Sequence, residues 1–64
     1  METTANTYLA ERIAYASELA DRAARRPGEP YKFGGRDAAA DAGYTQHTPE
    51  GRAFAQVYDT VRFG

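Results

Sequence analysis

TANTYLAERIAYASELADRAARR, residues 4–26, is the longest segment of this chain with one hydrophobic period. Projected at 100° per residue, its apolar side chains gather on one half-circle, and most of its charged side chains lie on the other. Glu18 and Asp21 each precede an arginine by four residues, a spacing that stabilises helices, and Pro27 interrupts the pattern. We therefore predict an amphipathic helix over about residues 4–26. The apolar half-circle contains Tyr8, Leu9, Ile13, Ala16, Leu19, Ala20, Ala23 and Ala24.

Arg12 falls inside that apolar half-circle. A charge is costly there unless its methylene stem lies on apolar surface and its guanidinium reaches water or a carboxylate. Two interpretations follow. Arg12 either snorkels at the rim of the apolar face, or it anchors an interface by pairing with an acid of another chain.

A second helix is predicted over about residues 49–62. Thr48 is a good N-cap, Pro49 is tolerated at the first helical position, and Glu50 meets the positive end of the helix dipole. The apolar stripe of this helix consists of Phe54, Val57, Tyr58 and Val61. We expect this stripe to pack antiparallel on the alanine-rich face of the first helix.

The connecting segment, residues 27–47, is predicted to be an ordered loop that contains a short third helix. Asp37 is suited to cap that helix, and Gly43 is suited to end it shortly after Ala42. The fold class is thus mainly α, a small two-helix antiparallel domain with an ordered loop. Because residues 31–33 alternate like a strand, an α+β fold with one very short strand is the alternative.

A thin core is the main consequence of the composition. The 64 residues form one small domain, and 13 of the 27 apolar residues are alanine, which offers little surface to bury. We therefore expect a homo-oligomer, such as a dimer formed through the exposed remainder of the apolar face of the first helix, or an obligate contact with a partner. The first four residues do not resemble a signal peptide and no apolar run is long enough for a membrane span, so we expect a cytoplasmic protein.

Few residues are suited to catalysis or to cofactor binding. The chain has no cysteine, and His47 is its single histidine, so a Cys-His pair and a two-histidine metal site are both excluded. Asp37 and Asp41 would share one helix face, but two carboxylates make a weak metal site. We predict no enzyme activity, no cofactor and no metal.

Residues 30–35, PYKFGG, followed by Asp41-Ala42-Gly43, are similar to the opening motif of the NlpC/P60 cysteine peptidases. In that family a Pro-Tyr-x-x-Gly-Gly segment leads to an Asp-Cys-Ser-Gly turn that carries the nucleophile. Ala42 stands at the position of the cysteine, so the resemblance implies no peptidase activity.

Binding is therefore the predicted mode of action. We predict a small regulator or inhibitor, of the kind that phages and other mobile elements encode, which docks on a larger protein or protein complex. Its predicted contact residues are Arg12, Tyr15, Arg26, Tyr31, Lys32, Phe33 and Arg36. One alternative is nucleic-acid binding through a basic and aromatic patch formed by Arg22, Arg25, Arg26, Lys32 and Arg36. Another is a structural subunit of a larger assembly.

Overall fold

A computed structural model describes the backbone of residues 4–28 and 31–64, and the side chains of residues 7–28 and 31–64. The described residues form three helices: α1 (Thr4–Arg25), α2 (Gly35–Asp41) and α3 (Pro49–Phe63). The predicted mainly α class is confirmed. Within the described ranges the chain forms no strand, so the α+β alternative is wrong: residues 31–34 make a turn in which the Gly34 N–H donates to the Tyr31 carbonyl at 3.1 Å. Pro30, the first residue of the PYKFGG motif, lies outside the described residues, as does Glu29.

The ends of α1 and α3 follow local signals. α1 ends at Arg25, one residue before the predicted end and two before Pro27. α3 begins as predicted, because the Thr48 hydroxyl accepts a hydrogen bond from the Gly51 N–H at 3.1 Å and Pro49 occupies the first helical position. It continues to Phe63.

The N-cap of α2 lies three residues earlier than predicted. Gly34, with a φ of 75°, is its N-cap, so Asp37 lies in the first turn and is not the cap. The capping carboxylate comes from α3, where Asp59 accepts a hydrogen bond from the Gly35 N–H at 2.7 Å. This contact crosses the fold, and for that reason the start of α2 could not be read from the local sequence.

The end of α2 agrees with the prediction. Gly43 adopts a φ of 92°, and its N–H donates to the Ala40 carbonyl. The Tyr44 N–H donates to the Ala39 carbonyl at 2.8 Å. These two bonds form a Schellman motif, in which glycine supplies the left-handed conformation that ends a helix.

The two long helices run parallel, so the predicted antiparallel orientation is wrong. Arg12 of α1 pairs with Glu50 at the start of α3, whereas Arg62 at the end of α3 donates to the Ala24 carbonyl near the end of α1. The connecting segment causes this orientation. It is long enough for α2 to return along α3 in the opposite direction, which brings the chain back to the level of Arg12 before α3 begins.

The core is built from alanines packed around two large aromatic side chains. Phe54 and Tyr58 of α3, two members of the predicted stripe, are almost completely buried. The buried alanines around them are Ala16, Ala20, Ala24, Ala38 and Ala39. Leu19, Val57 and Val61 are partly buried against this cluster. The predicted contact between the α3 stripe and the alanine-rich face of α1 is therefore confirmed.

Two glycines allow the elements to approach more closely than a side chain would permit. A Cβ atom at Gly35 would overlap the Ala55 carbonyl, and one at Gly51 would overlap the Thr45 carbonyl. Both glycines lie in the first turn of a helix that packs against another segment of the chain. Close packing of the backbone therefore accounts for their presence.

The N-terminal half of α1 has a different environment. α3 begins level with Arg12, so Tyr8 lies beyond the N-terminal end of α3. Tyr8 is therefore 60% exposed, although the hydrophobic pattern placed it on the apolar face. None of the helices that the structure describes has the length and apolarity needed to span a bilayer.

Candidate protein-binding surfaces

The seven predicted protein-binding residues fall in three separate places. Arg12 and Tyr15 lie on α1, Arg26 and Tyr31 lie near the end of α1, and Lys32, Phe33 and Arg36 lie at the start of α2. The fold therefore does not gather them into one continuous site. Each group has its own chemistry.

The α2 surface consists of Lys32, Phe33, Arg36, Asp37 and Ala40. Phe33 is 70% exposed and, with the last three of these residues, lines an open groove along the outside of α2. The Lys32 ammonium lies 5.6 Å from the centroid of the Phe33 ring, within the range of a cation–π interaction. This surface thus presents an uncovered aromatic ring together with two cationic side chains, Lys32 and Arg36.

The tyrosine face consists of Tyr8, Glu11, Arg12 and Tyr15 on α1. These residues line a shallow groove together with Tyr44 and Glu50. Tyr15 is 61% exposed, and the Arg12 guanidinium lies 5.4 Å from the centroid of the Tyr8 ring. Arg12 and Tyr15 were predicted as contact residues, whereas Tyr8 was predicted only to lie on the apolar face of the helix.

Arg12 forms an ion pair within its own chain. Its Nη2 contacts Glu50 Oε2, and only 4% of the Glu50 surface is exposed. A carboxylate so deeply buried is stable only when a cation compensates it. The acid that pairs with Arg12 is therefore Glu50 of the same chain, whereas the interface interpretation placed that acid on another chain. About half of the Arg12 side chain, 51%, stays exposed. The burial of Glu50 itself was not expected, because its position in the first turn of α3 is equally typical of a solvated residue.

Tyr31 takes part in internal contacts. Its N–H donates to the Tyr58 hydroxyl at 3.4 Å, and the two rings meet edge to face with 5.9 Å between centroids. The Tyr31 hydroxyl donates to Asp41 Oδ2 at 2.7 Å. This hydrogen bond, together with desolvation and the charge of Asp41, raises the pKa of Tyr31 above its ordinary value of 10.0. Tyr31 therefore joins α2 to α3.

Arg62 is a structural residue that sequence reasoning missed. Its guanidinium donates to the carbonyls of Ala24 at 3.1 Å and Arg26 at 2.9 Å, and also to that of Gly28. These carbonyls lie at and just beyond the C-terminus of α1, where a cation is favoured by the helix dipole. The predicted contact residue Arg26 thus contributes its backbone to this cap. An arginine in the last turn of α3 carries no local signal for such a role.

The predicted nucleic-acid patch is partly neutralised by neighbouring carboxylates. Arg25 Nε lies 3.0 Å from Asp21 Oδ1, and Arg22 Nη2 lies 3.9 Å from Glu18 Oε1. These are the acid-first helical pairs that the sequence predicted. Two of the five proposed phosphate contacts therefore have an acidic partner on α1.

Residues with the chemistry of an active site are dispersed. In residues 4–28 and 31–64 no three His, Cys, Asp or Glu side chains form a group able to hold a metal. His47 is exposed in the turn before α3, where its N–H donates to Thr45 Oγ1 at 3.4 Å. The Gly35 N–H at the start of α2 is bonded to the Asp59 carboxylate.

Comparisons of the chain with protein-family models, with curated proteins and with solved structures gave no match. The resemblance to the NlpC/P60 motif thus stays limited to the short segment that carries it.

Proposed function

We propose that the chain is a small, non-enzymatic binding protein of the cytoplasm, which regulates or inhibits a larger protein by docking on it through the α2 surface. A phage or other mobile element as its source is part of this proposal. The exposure of Phe33 is the observation that supports it most strongly.

The exposure of Phe33 favours a contact function. Phe54, of the same residue type, is 2% exposed in the core, whereas Phe33 is 70% exposed beside a groove. Covering an exposed phenylalanine ring with a partner lowers the free energy, because apolar surface is removed from water. Aromatic side chains are also enriched among the residues that dominate interface energies. Phe33 is thus a suitable anchor for docking.

The charges around Phe33 indicate the chemistry of the partner. Lys32 and Arg36 are both exposed, and Asp37 is the acidic residue in the groove. An apolar pocket with carboxylates at its rim would receive the Phe33 ring and match the two cations. We therefore propose an acidic protein surface as the docking site.

Direct binding of nucleic acid is less well supported. The net charge of the chain is −1, and two of the five patch arginines and lysines have carboxylate neighbours. Phe33 would also stack on a base, so an experiment must separate the two partners. Sensitivity to nuclease provides that separation.

Affinity capture from the source lysate with tagged variants tests this proposal. The native chain is compared with Phe33→Ser, and Tyr15→Ser is the matched control because it removes an aromatic side chain of similar exposure from another surface. We expect a stoichiometric protein that survives nuclease to be retained by the native chain and by Tyr15→Ser, but not by Phe33→Ser. Equal retention by Phe33→Ser, or loss of all retention after nuclease treatment, would contradict the proposal.

A photoreactive phenylalanine analogue at position 33 identifies the contact directly. Cross-linking should join this position to a segment of the captured protein that is rich in Asp and Glu. A cross-link to a basic segment would be inconsistent with the proposed charge match.

A further inference from the structure

The tyrosine face is a second exposed surface, distinct from the α2 surface. Tyr8 and Tyr15 are separated by seven residues, or about two helical turns, so both point to the same side of α1. They are 60% and 61% exposed, although the core of this chain is built largely from alanine. The largest apolar side chains of α1 therefore lie outside the core of the monomer.

The order of residues on this face is complementary to its own reverse, as a twofold symmetric pairing requires. Tyr8, Glu11, Arg12 and Tyr15 read as aromatic, acid, base, aromatic, and they occupy one side of the helix at i, i+3, i+4 and i+7. When two such helices lie antiparallel around a twofold axis between positions 11 and 12, position 8 faces position 15 and position 11 faces position 12. Each acidic side chain then faces a basic one, and each tyrosine faces a tyrosine, although the two chains are identical.

From this symmetry we infer that the chain forms a homodimer by antiparallel pairing of the tyrosine faces. Tyr8 packs on Tyr15 of the partner subunit, and Glu11 pairs with Arg12 of the partner subunit. The twofold axis generates each contact twice, as an isologous interface requires.

The charged residues of the face are suited to this arrangement. Glu11 is exposed and forms no ion pair with any residue that the structure describes. Arg12 contacts Glu50 through Nη2, but a guanidinium has five N–H donors and half of the Arg12 side chain is exposed. Arg12 can therefore bind Glu50 and Glu11 of the partner subunit together.

The contact area indicates a dimer of modest affinity. Pairing around this axis overlaps residues 4–19 of the two α1 helices, a length of about 24 Å. The exposed parts of the two tyrosines supply on the order of 250 Å² per subunit, against roughly 800 Å² in an interface of standard size. The stems of Glu11 and Arg12 and the wall formed by Tyr44 add to this area.

Sedimentation equilibrium over about 1 to 500 μM, a range that covers weak dimers, tests the association. The native chain should approach twice its mass of 7.0 kDa. Tyr15→Ser should raise the dissociation constant at least ~10-fold, whereas Phe33→Ser, an equally exposed aromatic residue on the α2 surface, should leave it unchanged. A monomer at every concentration, or an equal loss of the dimer in Phe33→Ser, would overturn the proposal.

A disulfide experiment tests the geometry, since the chain has no cysteine of its own. Tyr8→Cys and Tyr15→Cys chains, one of them carrying a size tag, are mixed and oxidised. Each chain then has a single thiol, so every disulfide joins two chains. Antiparallel pairing predicts that the mixed disulfide exceeds the half share produced by random pairing, and an excess of like-with-like disulfides would exclude it.

Partner capture by Tyr15→Ser and dimerisation of Phe33→Ser are separate readouts, so failure of the homodimer and failure of the proposed function are distinguishable.

Discussion

The two halves of α1 have the same hydrophobic pattern but opposite environments. In the C-terminal half, Ala16, Ala20 and Ala24 are buried against α3, whereas in the N-terminal half Tyr8 is exposed. The difference follows from residue size and from the length of α3. Alanines let the Phe54 and Tyr58 side chains approach the α1 backbone, and α3 begins too late to cover Tyr8. An amphipathic pattern thus identifies a helix that needs an apolar neighbour but does not say which part of it this chain will cover.

Truncation of the buried Phe54 and of the exposed Phe33 should give the largest difference in unfolding free energy. Phe54→Ala opens a cavity in the core and should cost about 3–5 kcal/mol of unfolding free energy. That is comparable with the total stability expected for a chain of this size, so the variant should be largely unfolded. Phe33→Ala should change the unfolding free energy by less than about 0.5 kcal/mol because the ring is exposed. Urea titration followed by circular dichroism measures both, and similar losses in the two variants would contradict the described core.

Enlargement of alanines on α1 tests whether small size is essential in the buried half. Ala20 is fully buried, and Ala20→Leu should cost about 1–3 kcal/mol because the added atoms overlap α3. Ala14 is exposed on the same helix, and Ala14→Leu should stay within about 0.5 kcal/mol of the native chain. If Ala20→Leu were neutral or stabilising, the close approach of α3 to α1 would be wrong.

The cap supplied by Arg62 explains why α1 is anchored at its C-terminal end. Arg62→Met keeps much of the stem but removes the bonds to three carbonyls, and should cost about 1–3 kcal/mol. Arg25→Met is the matched control, because Arg25 forms one exposed pair with Asp21 and should contribute less than about 0.5 kcal/mol. Thermal unfolding compares the two variants. Equal shifts in the midpoint would show that the cap adds no more than a surface ion pair.

The Tyr31–Asp41 hydrogen bond should produce the smallest effect, which is visible only at high pH. Since the pKa of Tyr31 is raised in the folded chain, this tyrosine stabilises the fold fully below its unfolded pKa of about 10. The stabilisation is lost as the pH rises through the folded pKa. Urea midpoints of the native chain should therefore fall more steeply above about pH 10 than those of Tyr31→Phe. Parallel curves would show that the Tyr31 hydroxyl has no such role.

Local signals predicted much of the secondary structure. Pro27 marks the end of α1, Thr48 and Pro49 mark the start of α3, and Gly43 marks the end of α2. Each acts through its own backbone or through residues a few positions away, so a linear pattern is sufficient to recognise it.

Contacts between distant parts of the chain were beyond such patterns. Asp59 caps α2, Arg62 caps α1, and Glu50 pairs with Arg12. The last two contacts depend on the parallel orientation of α1 and α3, and the first depends on the return of α2 along α3 in the opposite direction. For the candidate sites, the sequence-based prediction chose Phe33, Arg12 and Tyr15 by residue type. It did not separate them into two surfaces, because that separation also depends on how the helices are arranged.

Residue-resolved hydrogen exchange along α1 tests most directly the claim that its two halves differ. The Tyr15→Ser variant, which should be monomeric, removes protection that a dimer would add. We predict that the amides of residues 16–24 exchange only on global unfolding, whereas those of residues 8–12 exchange through local opening at much lower free energy. Uniform protection along α1, or stronger protection of residues 8–12, would contradict this account.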